Sequence, residues 1–217
     1  VTGRNNNFLG TYAGKCASGS GGYNNFFGRC GGYNNTTGSF NNFIGNKAGY
    51  CNTTGSCNNM IGRGVGQCAT VTGSHNNFLG TYAGKCASGS GSNNNFFGRC
   101  AGRNNTTGSC NNFFGSCAGF SNTTGSYNNF FGDRAGYCNT TGSRNNFLGA
   151  EAGYFNTTGC HNNFFGSCAG RCNTSGGSNN FIGFCAGSAN TTGSSNNFFG
   201  SYAGFSNTTG SNNNFFG

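Results

Sequence analysis

Apolar and polar positions along this chain follow one short figure: two asparagines, two apolar residues and a glycine, written thirteen times in 217 residues. The closing glycines, from Gly10, Gly28 and Gly45 to Gly183, Gly200 and Gly217, fall 17 or 18 residues apart. No stretch has the i, i+3, i+4 spacing of an amphipathic helix, and a glycine about every five residues opposes one. The pattern predicts short strands punctuated by Gly, Asn, Ser and Thr turns. A unit this small cannot bury its own apolar face and is stable only when stacked on its neighbours. The expected fold is therefore all-β: a β-solenoid with one coil per 17–18-residue unit and about 13 coils, running over 1–217 as a single tandem array without separate domains. An opening at Val1 and an end at Gly217, both in mid-unit, suggest a piece of a longer array.

Residues 196 to 212 show a full unit, Asn-Asn-Phe-Phe-Gly-x-x-Ala-Gly-x-x-Asn-Thr-Thr-Gly-Ser-x. With the closing glycine as register 0, an Ala-Gly step occupies registers 3 and 4, and its alanine gives way only to Gly31 and Val65. Five registers are free, and they carry the Lys, Arg, Tyr, His, Asp and Glu side chains, as water-facing positions do. The extra residue of the longer units falls in the Thr-Gly-Ser stretch, as in Cys16 to Gly22, which marks a loop able to bulge.

Stacked coils lie about 4.8 Å apart, so each residue sits over its equivalent one unit on. Asparagine columns then form amide ladders and phenylalanine columns stack. Glycine suits tight corners with positive φ, and alanine suits a narrow interior. Adjacent apolar residues on a strand point to opposite faces. The variable column (Leu9, Phe27, Ile44, Ile61) is expected inside. The near-constant one (Phe26, Phe43, Phe96, Phe113, Phe130, Phe164, Phe198, Phe215) is expected outside, as an aromatic stripe covered by another chain, layer or glycan. A bulge turning both rings inward is the alternative.

Composition narrows the picture further. At 33% hydrophobic and 6% charged, with 44 Gly, the chain looks disordered, yet its 24 Phe keep fixed registers and it has no Pro. Apolar runs of two or three residues cannot span a bilayer. The net charge of +9 is thinly spread, which suits solvated faces or weak attraction to an anionic polysaccharide, and nucleic acid is not an expected partner. One Asp, one Glu and two isolated His supply no acid–base or metal constellation, so neither catalysis nor a cofactor or metal is expected.

Fourteen cysteines without zinc-like spacing point to an oxidising, extracellular, secreted or surface-attached setting. Cys51 and Cys68, Cys100 and Cys117, and Cys168 and Cys185 are each 17 apart, within reach of a disulfide between vertical neighbours. Cys16 and Cys30, recurring as Cys86 and Cys100, are 14 apart and offer another pairing across adjacent coils. The Asn-Thr-Thr register supplies N-glycosylation acceptors at Asn35, Asn52, Asn105, Asn122, Asn139, Asn156, Asn173, Asn190 and Asn207, which would line one edge with covalent N-glycans. The same triplet is also good turn chemistry.

The run Asn190-Thr191-Thr192-Gly193-Ser194-Ser195-Asn196-Asn197-Phe198-Phe199-Gly200, followed by Ala203-Gly204, resembles the Asn-Thr-Thr-Gly-Ser-Asn-Asn-Thr-Phe-Ile-Gly-x-x-Ala-Gly repeats of large secreted bacterial and phage tail-fibre-like β-solenoid proteins. More distantly it resembles the heads of trimeric autotransporter adhesins. The resemblance covers nearly the whole chain and implies a rigid extracellular rod. Residues 1 to 40 and 71 to 109 are near-copies, the mark of an array lengthened by blocks. Three functional classes follow: a self-associating structural subunit of an extracellular fibre, disulfide-stiffened and glycosylated; the stalk of a tail fibre or surface adhesin; and, least favoured, ice binding by threonine columns.

Overall fold

The computed structural model describes residues 3–68 and 70–217. Every regular element among them is a three-residue parallel strand, and the chain is an all-β solenoid of about 12 turns. It divides into two compact units, Val1–Cys110 and Asn111–Gly217. The first holds β1 (Asn7–Leu9), β2 (Asn25–Phe27), β3 (Asn42–Ile44), β4 (Asn59–Ile61), β5 (Asn77–Leu79) and β6 (Asn95–Phe97). The second holds β7 (Asn112–Phe114), β8 (Asn129–Phe131), β9 (Asn146–Leu148), β10 (Asn163–Phe165), β11 (Asn180–Ile182), β12 (Asn197–Phe199) and β13 (Asn214–Phe216). Within each unit the strands pair in chain order and in strict register, Asn on Asn and Phe on Phe, as in Asn129↔Asn146 and Phe130↔Phe147.

Each strand stops at the closing glycine because the chain turns there with φ between 123° and 145°, a region closed to L side chains. A Cβ at Gly132 would also lie 2.6 Å from the carbonyl carbon of Gly149 in the next coil. Two other corners depart from expectation. At register 2, and again at the residue before each Asn pair, non-glycine residues hold the left-handed conformation in coil after coil, among them Lys47 (φ 57°), Tyr127 (φ 60°) and Arg134 (φ 54°). The side chains of Tyr127 and Arg134 leave the coil at these corners, whereas those of Cys30 and Cys100 are buried. Hydrogen bonds such as Arg134 N–H to Ser116 O (2.9 Å) and Tyr202 N–H to Phe184 O (2.8 Å) hold the strained backbone in place.

The interior reverses the expected order of the two apolar columns. Phe26, Phe43, Phe96, Phe113, Phe130, Phe164 and Phe198, expected outside, are 0% exposed, and Phe215 in the last strand is the one member with an open ring. The variable column faces water instead: Ile44, Phe131 and Leu148 are 40–41% exposed. The rings stack face to face with centroids 4.6–5.0 Å apart, as in Phe130–Phe147 (4.8 Å) and Phe181–Phe198 (4.7 Å). Room for a ring inside so short a coil comes from the Ala-Gly step: the ring face lies on the register-4 glycine and the alanines are almost wholly buried. Near-constancy at this position reflects a slot that fits one planar shape, whereas Leu, Ile and Phe interchange at the next position because it meets solvent.

The 18-residue coils share one feature. Where 17-residue coils have Asn at register 7, the longer ones have alanine (Ala17, Ala69, Ala87) and make up the loop with an extra residue. Position 69 lies outside the described residues, but two residues on Val71 is buried and forms parallel bridges with Asn52 and Gly89. All three long coils belong to the first unit.

Candidate functional site

The residues with most chemistry to offer are arranged as columns, and three of the columns are asparagine. The second Asn of each pair donates Nδ2 to Oδ1 of its equivalent one coil on, at 2.7–2.8 Å, on the outer side of the strand (Asn7 to Asn25, Asn129 to Asn146, Asn197 to Asn214). The first Asn of each pair is buried. Its Oδ1 accepts the backbone N–H of the next equivalent, and its Nδ2 donates to the carbonyl of the glycine that closes the Thr-Thr-Gly turn one coil on, as in Asn128 to Gly142 at 2.8 Å. The register-7 Asn donates one hydrogen to that glycine carbonyl in its own coil and the other to Oδ1 of the coil before: Asn139 to Gly142 (2.9 Å) and to Asn122 (2.7 Å). These arrangements satisfy the polar groups that a coil of so few apolar residues must bury.

The third ladder consists of the predicted glycan acceptors. Asn35, Asn52, Asn105, Asn122, Asn139, Asn156, Asn173 and Asn190 are at most 1% exposed, and Asn207 is half-buried in the last coil. From Asn139 to Asn190 the Nδ2 that would carry a sugar has both hydrogens engaged inside the protein. A glycan would replace one of those hydrogens and require the space of the neighbouring coil, so the line of glycans expected along one edge is incompatible with the folded coil. The reading of Asn-Thr-Thr-Gly as turn chemistry accounts for these residues. Two further acceptor triplets, Asn34-Asn35-Thr36 and Asn104-Asn105-Thr106, escape a search keyed to the Asn-Thr-Thr register. Their first asparagines sit at the water-facing register 6 and are only half-buried.

No disulfide joins the cysteines among the described residues. Of the candidate pairs, the structure brings together those that share a register within one unit. Cys51 neighbours Cys68, and Cys168 neighbours Cys185; Cys68 also neighbours Cys86, a pair of the same register that the 17-residue spacing misses. Cys100 and Cys117 share register 2 but lie in different units. Cys16 and Cys30 occupy different registers, one exposed and one buried, and both border Tyr33, whose phenol is pushed up by its hydrogen bond with Cys16. Burial raises the thiols of Cys51, Cys86, Cys138 and Cys185 above the usual range, which keeps them protonated and weak as nucleophiles at neutral pH. Among the described residues no three His, Cys, Asp or Glu side chains converge as metal ligands would.

The outer columns differ between the units. In the second, Glu151 accepts from Arg171 at 2.8 Å and from Arg134 at 3.4 Å, joining three successive coils, and its carboxyl is held below the usual range chiefly by the Arg171 hydrogen bond. Phe120, Tyr137 and Tyr154 stack at register 5 with centroids 4.9 and 5.1 Å apart. In the first unit the turn after each strand carries a cation, four of the six turns also carry a tyrosine, and none has an acidic side chain. No helix among the described residues is long and apolar enough to cross a membrane. Comparison with family models, with curated proteins and with solved structures returns no match.

Proposed function

We propose that this chain is a structural element of an extracellular fibre, built by stacking identical coils. The observation that carries this reading is the sameness of each coil's two faces. In the second unit each ladder repeats its bond from coil to coil, Asn129 to Asn146 in the coil ahead and Asn156 to Asn139 and the Asn196 N–H to Asn179 in the coil behind, so nothing in an interior coil sets a length. An architecture that only repeats suits a load-bearing or spacing role. Disulfides between vertical neighbours, Cys68 with Cys86 and Cys168 with Cys185, would lock adjacent coils and suit an oxidising compartment. Glycosylation along the Asn-Thr-Thr edge is no part of this reading, and Asn34 and Asn104 remain the acceptors open to modification.

The alternative, a stalk of a tail fibre or surface adhesin, uses the same coil and differs in having a fixed length and a binding tip. Ice binding finds less support. From Thr123 to Thr191 the first threonine of the turn donates its hydroxyl to a carbonyl of the next coil (Thr140 to Thr157 O at 3.0 Å), which leaves one outward hydroxyl column where a flat array needs ranks of them. Electron cryo-microscopy of the native material tests the proposal. Filaments of indefinite length with a repeat near 4.8 Å support it, and rods of one fixed length overturn it in favour of the stalk.

A further inference from the structure

The eleven Lys and Arg are unevenly divided. Eight lie in Val1–Cys110 with no Asp or Glu, and three lie in Asn111–Gly217 with both acids, so the units carry +8 and +1. The eight are also not scattered. Lys15, Arg29, Lys47, Arg63, Lys85 and Arg99 place a cation in the same turn, registers 1 to 5, in six successive coils, and Arg103 at register 5 adds a second to the last of them. The cation leaves from the first residue of the turn in every second coil (Arg29, Arg63, Arg99) and from the second or fifth in the coils between (Lys47; Lys15, Lys85). Where register 1 lacks arginine it has a neutral hydrogen-bonding side chain, Thr11, Asn46 or Thr81.

Tyrosines hold these charges in place. Lys15 lies over the Tyr12 ring at 4.6 Å. Tyr82 receives Lys85 from its own coil at 4.7 Å and Arg63 from the coil before at 5.0 Å. Arg29, Arg63 and Arg99 are exposed, and the unit has no carboxylate side chain to pair them. Stacking therefore repeats the register-1 arginine every second coil, about 9.6 Å along the axis, with a cation from another register of the turn in the coil between and no acidic side chain to screen them. In the second unit the equivalent turn neutralises its arginines through Glu151.

We propose that this turn of the first unit binds a linear acidic polysaccharide, a chain bearing about one carboxylate per sugar ring, laid along the coil axis. A pyranose ring in an extended chain is about as long as the rise of one coil. In a chain of near two-fold symmetry successive carboxylates leave on alternate sides, as the cations do here. Threonine and asparagine hydroxyls and amides between the arginines suit sugar hydroxyls. A nucleic acid fits less well. Duplex phosphates come about every 1.7 Å of axis, much denser than the cations of this turn, and a single strand needs open aromatic faces for its bases, whereas Tyr12 and Tyr82 already hold cations over their rings and Tyr33 and Tyr50 stack on each other. The proposal holds whether the array ends in a fibre or a stalk.

The test is titration of the full chain with fluorescently labelled oligogalacturonate, a neutral oligoglucan and an oligo-dT strand, at about 50 and 200 mM salt, the range over which phosphate contacts show their salt dependence. The variant is Arg29→Gln, Arg63→Gln and Arg99→Gln together, with Arg144→Gln as the second-unit control, each checked by circular dichroism for an unchanged fold. Expected are oligogalacturonate binding that weakens with salt, no binding of the neutral oligomer, an affinity loss of about tenfold or more in the triple variant with a shallower salt dependence, and no change in the control. Equal affinity of the triple variant and the parent, no oligogalacturonate binding at low salt, or tighter binding of oligo-dT would each overturn the proposal. If the triple variant unfolds, Arg63→Lys and Arg63→Gln replace it. Retained binding in the first with loss in the second supports the proposal, and equal behaviour of the two overturns it.

Discussion

Gly136→Ala tests what holds the ring column in place. Gly136 sits at register 4 of its coil with φ 59°, and a Cβ built on it meets Cε2 of Phe130. That ring cannot move aside, because Phe113 and Phe147 stack on its two faces at 4.9 and 4.8 Å. Holding alanine in a left-handed conformation costs about 1–2 kcal/mol, and overpacking a filled slot adds about 1–3 kcal/mol. The expected loss is thus roughly 2–5 kcal/mol. Gly64→Ala is the control: its φ of 69° carries the same backbone strain, but its Cβ meets only Gln67 Oε1 and the Cδ1–Cε1 edge of Tyr82 at 2.7 Å, side chains that are not enclosed in the ring column and can swing away. The control should lose only the first contribution, about 1–2 kcal/mol. In a stacked array a local defect opens its own coils before the rest, so the assay is hydrogen exchange read by mass spectrometry across residues 130 to 153, beside urea unfolding. A loss of 2 kcal/mol corresponds to about a thirtyfold loss of protection. Gly136→Ala behaving no worse than Gly64→Ala would refute the reasoning that the ring slot, and not φ alone, demands glycine.

The remaining expectations are simpler to check. Phe130→Ala should lower stability by about 3–5 kcal/mol and Phe131→Ala by less than about 1 kcal/mol; urea midpoints in the opposite order would return the constant column to the surface. Chymotryptic peptides of native material should show Asn139, Asn156, Asn173 and Asn190 unmodified, with any N-glycan confined to Asn34 and Asn104; a sugar on the buried ladder contradicts the coil described here. Because its ion pairs lower the folded-state value of Glu151, the folded form holds that proton less tightly than the unfolded one. Its stabilisation is therefore complete above the ordinary carboxylate range, near pH 4.3, and is lost as pH falls through the lowered folded value. Glu151→Gln should flatten that part of the acid limb slightly, and an unchanged limb would show that the ion pairs contribute nothing.

The period, the strand class, the parallel register and the asparagine ladders were legible in the sequence because each follows from repetition itself. If residue i sits over i+17, like must meet like, and only side chains that tolerate their own kind, such as the Asn129–Asn146 amide pair or the Phe147–Phe164 ring pair, can fill a column. The direction in which a side chain points was harder to read. Phe130 and Phe131 are chemically identical, and alternation says only that they diverge. What separates them is the tolerance of each position to Leu and Ile, together with a glycine six residues after Phe130 whose missing side chain leaves room for a ring. The sequons misled for a related reason: Asn139 has the right neighbours for a glycan, but its exposure depends on Gly142 bending its carbonyl back to accept from Nδ2. The cation line was hidden because net charge sums over the chain, while its effect depends on eight of the charges sharing a unit without acids.

The register-7 ladder also predicts where the array is weakest. In the second unit it runs unbroken from Asn122 to Asn207, each amide bonded within its own coil and to the coil before from Asn139 onward. In the first unit alanines at 17, 69 and 87 replace it, so Asn35 and Asn52 bond each other at 2.7 Å while two adjacent coils further on have no side-chain amide at this register. Each missing rung removes hydrogen bonds worth about 0.5–1.5 kcal/mol apiece. The long loop brings partial replacement through Gly89 N–H to Thr70 O at 2.8 Å and the buried Val71, which supply a backbone bond and apolar packing but no amide chain to couple one coil to the next. Opening should therefore begin in residues 81 to 98 and leave residues 139 to 198 protected. Hydrogen exchange would show this as amides of β5 and β6 exchanging at lower denaturant than those of β9 to β12. Equal protection in the two stretches would mean that the ring column and the two ladders beside the strands carry the coupling alone, and that the register-7 asparagine serves its own turn.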